Sequence, residues 1–136
     1  MTIHGSCLCG KVCYEVSSSL LCASHCHCSM CRRQHGAPFA TYATCNPSDF
    51  RWTRGEAMVK VFQSDAGWCF CQECGSTLAG TEQGRVTSIT LGTVQGDPGI
   101  QPSHHIFVGS KASWHQITDA LPQFIERPPS DWEPLS

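Results

Sequence analysis

The chain has 136 residues, a hydrophobic fraction of 40% and a formal net charge of -2. That length suits one domain (1–136) with its own hydrophobic core, and the hydrophobic fraction excludes a disordered chain. No cluster of lysine and arginine exceeds the pair Arg32-Arg33, no apolar run reaches membrane-spanning length and no secretory leader pattern opens the sequence. Nucleic acid and membrane are therefore not expected partners.

In chain order, short strands alternate with turns rich in glycine, proline and cysteine. Residues 10–16 (GKVCYEV) alternate apolar and polar positions, the pattern of a half-buried strand. Residues 37–44 (APFATYAT), 57–63 (AMVKVFQ), 86–91 (VTSITL) and 104–108 (HHIFV) read as further strands. Helical signals are few: a turn over 29–33 capped by Ser29, and one or two turns over 114–121 before Pro122. The core is expected over about 5–124, with 125–136 a proline-rich tail, extended or poorly ordered. The resulting class is mainly β, with small sheets pinned together by metal.

The count of cysteines, eleven, is far above ordinary usage and odd. With no leader in view, a reducing cytoplasm is expected, where clustered cysteines serve as metal ligands or reactive thiols rather than disulfides. They fall into three groups: Cys7-Leu-Cys9-Gly10, Cys26-His-Cys28-Ser-Met-Cys31 and Cys69-Phe-Cys71-Gln-Glu-Cys74-Gly75. Cys13 reads as core packing, and Cys22 and Cys45 as small hydrophobes.

The segment Cys71-x-x-Cys74-Gly75 has the spacing of a zinc knuckle: two thiols on one tight turn, then a glycine free to take positive φ. Cys7-x-Cys9-Gly10 is its natural complement. A two-residue offset at the start of a strand would set both thiols on one side. Together Cys7, Cys9, Cys71 and Cys74 would form a closed four-thiolate site. Spacing alone leaves the pairing of groups open, because Cys69-x-Cys71-x-x-Cys74 repeats the CxCxxC pattern of Cys26, Cys28 and Cys31.

That second group offers three thiolates, and three protein ligands with an open position is the zinc arrangement that performs chemistry. The alternative is a second structural site closed by His25, His27, His35 or Cys69. Arg32 and Arg33, just past the third cysteine, could offset the negative charge of such a centre or clamp a substrate carboxylate. His27 alternates with Cys26 and Cys28 and so points away from the metal. Iron–sulfur ligation is disfavoured by the absence of further C-x-x-C steps and of a Cys-Pro.

Four motifs in order, GSCLCG (5–10), CHCSMCRR (26–33), CQECG (71–75) and HIFVGSKASW (105–114), resemble the glutathione-dependent formaldehyde-activating enzyme (Gfa) family, to which centromere protein V is related. Residues 117–124 extend the likeness. The resemblance implies an Mss4-like fold of small antiparallel sheets around zinc, a structural zinc on Cys7, Cys9, Cys71 and Cys74, and a catalytic zinc on Cys26, Cys28 and Cys31. It also implies glutathione as co-substrate, and addition of its thiol to formaldehyde to give S-hydroxymethylglutathione, which in reverse is carbon–sulfur lyase chemistry. Arg32 and Arg33 are the candidate contacts for the glutathione carboxylates. The three-cysteine site, one protein ligand short, should hold its metal less tightly. The other reading is a non-enzymatic zinc module, a glutathione carrier or protein-interaction domain. It differs in closing the second site or exposing an apolar patch. His105 and Lys111 are either structural or contacts to substrate.

Overall fold

The computed structural model describes residues 2–135. Its elements are β1 (Ile3–Ser6), β2 (Cys13–Val16), β3 (Cys22–Cys26), α1 (Ser29–His35), β4 (Ala40–Thr44), β5 (Phe50–Arg54), β6 (Val59–Phe62), β7 (Ala66–Cys71), β8 (Thr77–Glu82), β9 (Arg85–Thr90) and β10 (His104–Ile106). Single 3-10 turns occupy Pro47–Asp49, Glu56–Met58, Leu91–Thr93 and Val108–Ser110. Two sheets result, a three-stranded one in the order β1-β2-β5 and a seven-stranded one in the order β10-β3-β4-β9-β8-β7-β6. The class is mainly β, as expected. All strand pairs are antiparallel except β10, which runs parallel to β3.

In β2 the alternation buries Tyr14 and Val16 against the second sheet. Ile3, Val12, Leu20, Ala23, Ala43, Leu78 and Ile89 complete this core. Cys45 lies within it, whereas Cys13 does not. Cys13 is half-buried because it alternates with Tyr14 and so takes the other face of β2, which corrects its reading as core. A second, smaller cluster on the opposite side of the large sheet joins Cys26, Cys31, Ala40, Trp68 and Ile106.

The helical expectations divide. A helix does follow β3, but its cap is Cys28, whose sulfur accepts the Cys31 N–H, and not Ser29. Residues 114–121 form no helix. There the Asp119 carboxylate accepts the Leu121 N–H, a local turn that competes with helical bonding. The segment also has no apolar stripe to bury, Trp114 being 71% exposed.

Residues 122–135 form no helix or extended strand but are tied to the sheet edge. Phe107 N–H donates to the Glu126 carbonyl, Val108 N–H to Phe124 and Gly109 N–H to Ile125. Phe124 and Trp132 pack their rings against each other and against His104.

Candidate metal centres and the groove beside them

Two turns, far apart in sequence, face each other at one end of the smaller sheet. After β1 the chain turns through Cys7–Gly10, with Gly10 N–H bonded to the Cys7 carbonyl and Gly10 at φ 81°. After β7 it turns again, with Gly75 N–H bonded to the Cys71 carbonyl and Gly75 at φ 78°. Only glycine takes such a φ without strain, so each glycine lets its chain fold back and aim two thiols at one point. Cys7 and Cys9 thus sit on a turn and not on a strand start.

The four sulfurs lie within 4.8 Å of one another. Cys7 and Cys9 are 3.6 Å apart, and Cys9 and Cys71 are 3.9 Å apart. A tetrahedron of sulfurs about 2.3 Å from a zinc ion has edges of about 3.8 Å, so these separations fit one ion. Backbone and side-chain donors support the sulfur charge. Val12 N–H donates to Cys7, and the Ser76 hydroxyl, 3.2 Å from Cys74, holds that thiol down to about 5 together with the backbone N–H groups of Ser76 and Cys9.

The second cluster is built by β3 and the start of α1. Cys26 ends the strand, Cys28 caps the helix and Cys31 lies in its first turn, buried. Their sulfurs also lie within 4.8 Å of one another, and no fourth histidine, cysteine or carboxylate joins them among the described residues. The candidates for that place are engaged elsewhere. His25 Nδ1 meets Thr41 Oγ1 at 2.8 Å, His27 Nε2 meets His105 Nδ1 at 2.8 Å, and His35 Nδ1 lies 3.0 Å from the Cys31 carbonyl. Cys69 is buried opposite Ala79, and burial pushes its thiol up to about 11.

Three thiols packed this closely accept one negative charge readily and resist more. Cys28 is drawn down to about 2 because Cys26 and Cys31 donate to it, with help from the N–H groups of Cys31 and Met30. Cys26 is driven far up by the same neighbours. A cation among the sulfurs would remove that conflict, so the donor set fits a thiophilic metal. Both clusters could therefore hold a metal ion.

One further contact reaches the three-cysteine cluster. The buried indole Trp68 Nε1–H donates to the Tyr42 hydroxyl at 2.7 Å, and that hydroxyl donates to Cys31 Sγ at 3.5 Å. Burial raises the Tyr42 pKa, so the phenol keeps its proton and remains a donor. The sequence gives no sign of this chain of donors. It exists because β4 and β7, with β9 and β8 between them in the sheet order, both aim a large side chain at the same face.

Cys26, Cys28 and Cys31 lie at one end of a groove of about 460 Å³. Its floor is made of small residues: Ser24 and Thr44, Gly67 on β7, and Gly80 and Ser88 on β8 and β9. A Cβ at Gly80 would lie 2.5 Å from Ser88 Oγ, so a larger residue would fill space the groove now keeps. Arg32 and Arg33 do not line it. Arg33 is exposed on α1, and Arg32 is half-buried with Nε lacking a partner. Arg127 is the cation that does line it.

On the reverse side of β3 lies a hydrogen-bonded file of side chains. Asp119 carboxylate oxygens lie 3.0 Å from His105 Nε2, and His105 Nδ1 meets His27 Nε2. His27 and His105 are 0% and 1% exposed. A carboxylate accepts, so His105 donates from Nε2 and its Nδ1 accepts from His27 Nε2–H. His105 is thus a buried support for the strand that carries Cys26, and Lys111 donates to the carbonyls of Ala112 and His115. Neither lines the groove.

A model of the family described as glutathione-dependent formaldehyde-activating enzyme matches residues 2–110. Among solved structures, a Rhodobacter sphaeroides protein known from a crystal structure is similar at 31% identity and a TM-score of 0.58, over 69% of this chain and 89% of that one. No curated protein matches.

Proposed function

Because the chain belongs to the glutathione-dependent formaldehyde-activating enzyme family, we propose that it is a zinc-dependent enzyme of carbon–sulfur lyase type, forming or cleaving S-hydroxymethylglutathione or a related glutathione adduct. The observation that carries this reading is the contrast between the two clusters. Four thiols close one site, whereas three thiols at the end of an open groove leave the other accessible to a small molecule. A protein-interaction module would be expected to close both.

In this reading Cys7, Cys9, Cys71 and Cys74 hold a structural zinc, and Cys26, Cys28 and Cys31 hold a catalytic one. Zinc bound there would supply Lewis acidity, lowering the proton affinity of an incoming thiol or polarising an aldehyde oxygen. The protein's own contribution is placement. A free thiol near pKa ~8.5 is only a few per cent thiolate at neutral pH, and three cysteine ligands moderate the metal's acidity. Much of the rate must then come from holding thiol and aldehyde together in the groove. Tyr42, by donating to Cys31, draws electron density away from that ligand and partly restores acidity at the centre.

The test is metal content and turnover measured together. Wild type should carry two zinc ions per chain, with the second responding to glutathione, and should accelerate adduct formation above the spontaneous background. Cys28→Ser should lose the second ion and the acceleration while keeping the first. Full activity in Cys28→Ser would sink the proposal, as would two ions indifferent to glutathione.

A further inference from the structure

Resting on that reading, we propose that Arg127 is the carboxylate anchor for the thiol substrate. Two observations converge on it.

The first is position. Arg127 lines the groove that ends at Cys26, Cys28 and Cys31, and it is the one lysine or arginine among the described residues that does so. Its route to the site is short. Ile106 pairs with Cys26 across the parallel strands, and the next residue, Phe107, donates its N–H to the Glu126 carbonyl, immediately before Arg127. The guanidinium stands over the Phe107 ring at 5.5 Å from its centroid. It enters no ion pair with a carboxylate among the described residues. The side chain is exposed, and a planar fork of N–H donors standing over an aromatic face beside the proposed thiol-binding centre suits one group above others, the carboxylate.

The second is backbone strain at the support. Phe107 has φ 57°, the left-handed region that bulky residues rarely occupy. The unusual conformation is retained where the ring forms part of the groove wall beneath Arg127.

With Arg127 opposed by one carboxylate lining the groove, Glu82, selection depends on where the ligand carries its charge and not on its net charge.

Arg127 lies outside the residues 2–110 that the family model matches. The anchor would therefore belong to this chain's own C-terminal segment, and the choice of thiol would be set there and not by the cysteine motifs.

The experiment is calorimetric titration of the full, zinc-loaded, reduced protein with two probes, glutathione and glutathione diethyl ester, in which both carboxylates are masked and the thiol is intact. Wild type should prefer glutathione about tenfold, equivalent to about 1.4 kcal/mol. Arg127→Gln should abolish that preference by weakening glutathione about tenfold and leaving the ester unchanged. If wild type binds both probes equally and Arg127→Gln changes neither, the anchor is refuted while the glutathione reading stands. If zinc-loaded wild type binds neither probe, the glutathione reading itself falls, and the anchor with it.

Discussion

Tyr42→Phe tests whether the donor chain behind Cys31 is an organised part of the site. The substitution removes one oxygen. In the fold, that oxygen accepts from Trp68 Nε1 at 2.7 Å and donates to Cys31 Sγ at 3.5 Å. Its loss leaves a buried indole N–H with no acceptor, because Trp68 is only 7% exposed. An orphaned buried donor costs about 1–3 kcal/mol, and the longer contact to sulfur adds little. The expected loss is thus about 2 kcal/mol, which for a chain of this size lowers the melting temperature by roughly 8 °C. The assay is urea unfolding of the zinc-loaded protein under reductant, reading the midpoint at unchanged slope. Trp68→Phe removes the donor instead and has its own cavity cost. In the double variant no donor is orphaned, so the two losses should fail to add by about 1 kcal/mol or more. If Tyr42→Phe stays within about 0.5 kcal/mol of wild type, or if the two losses add, the donor chain is an incidental contact and the argument for Tyr42 as a support of the metal ligand collapses.

Three further outcomes are expected. Cys74→Ser should destabilise the whole fold and release metal, because its sulfur helps join the β1–β2 turn to the β7–β8 turn. Cys28→Ser should release metal with a much smaller change in the unfolding midpoint, and equal midpoints for the two variants would contradict the division into structural and open sites. Long-range nitrogen–proton spectra should show both His27 and His105 as Nε2–H tautomers, the pattern that Asp119 dictates; a proton on Nδ1 of either would refute the direction of the file. His104, packed against Phe124 and Trp132, has its pKa lowered from 6.5 by burial and by the nearby His105. The unfolded chain therefore binds this proton first, and the stability from a neutral His104 is complete above about 6.5 and is lost as pH falls below it. His104→Asn should flatten the stability-versus-pH slope just under pH 6.5, and an unchanged slope would show that another group sets it.

The residues that converge on the two clusters were legible in the sequence because metal-ligand geometry imposes short spacings on cysteine. Strands were legible where one face alone is buried, as in β2, where Tyr14 and Val16 alternate with Cys13 and Glu15. They were illegible where burial is not periodic. β7 runs Gly67, Trp68 and Cys69 all buried, and its register shifts at Cys69–Phe70. β3 reads as a cysteine–histidine motif and not as a strand, although it is the strand that sends Cys26 to the groove and His25 to the reverse face, with His27 just past its end. Arg127, Tyr42 and Asp119 had no local signal at all. Each gains its place from a pairing between segments distant in sequence, such as the bonds that fasten 124–126 beside β10. Arg32 and Arg33 illustrate the converse: adjacency to a ligand in sequence does not bring a side chain into the groove that the ligand lines.

The two cysteine clusters also differ in when they can exist. Cys9 and Cys71 are 62 positions apart, so the four-sulfur site cannot assemble until a large loop has closed and both hairpins have met. Cys26, Cys28 and Cys31 span six residues and need only a strand end and one helical turn. During synthesis this trio leaves the ribosome some forty residues before Cys71 does. A thiophilic ion meeting the nascent chain will find its first three-thiol ligand at the cluster beside the groove, while the four-thiol cluster, holding only Cys7 and Cys9 so far, is still incomplete. Metal affinity of the unfolded chain then competes with the folded protein's own, and the order of loading becomes part of how the molecule is made.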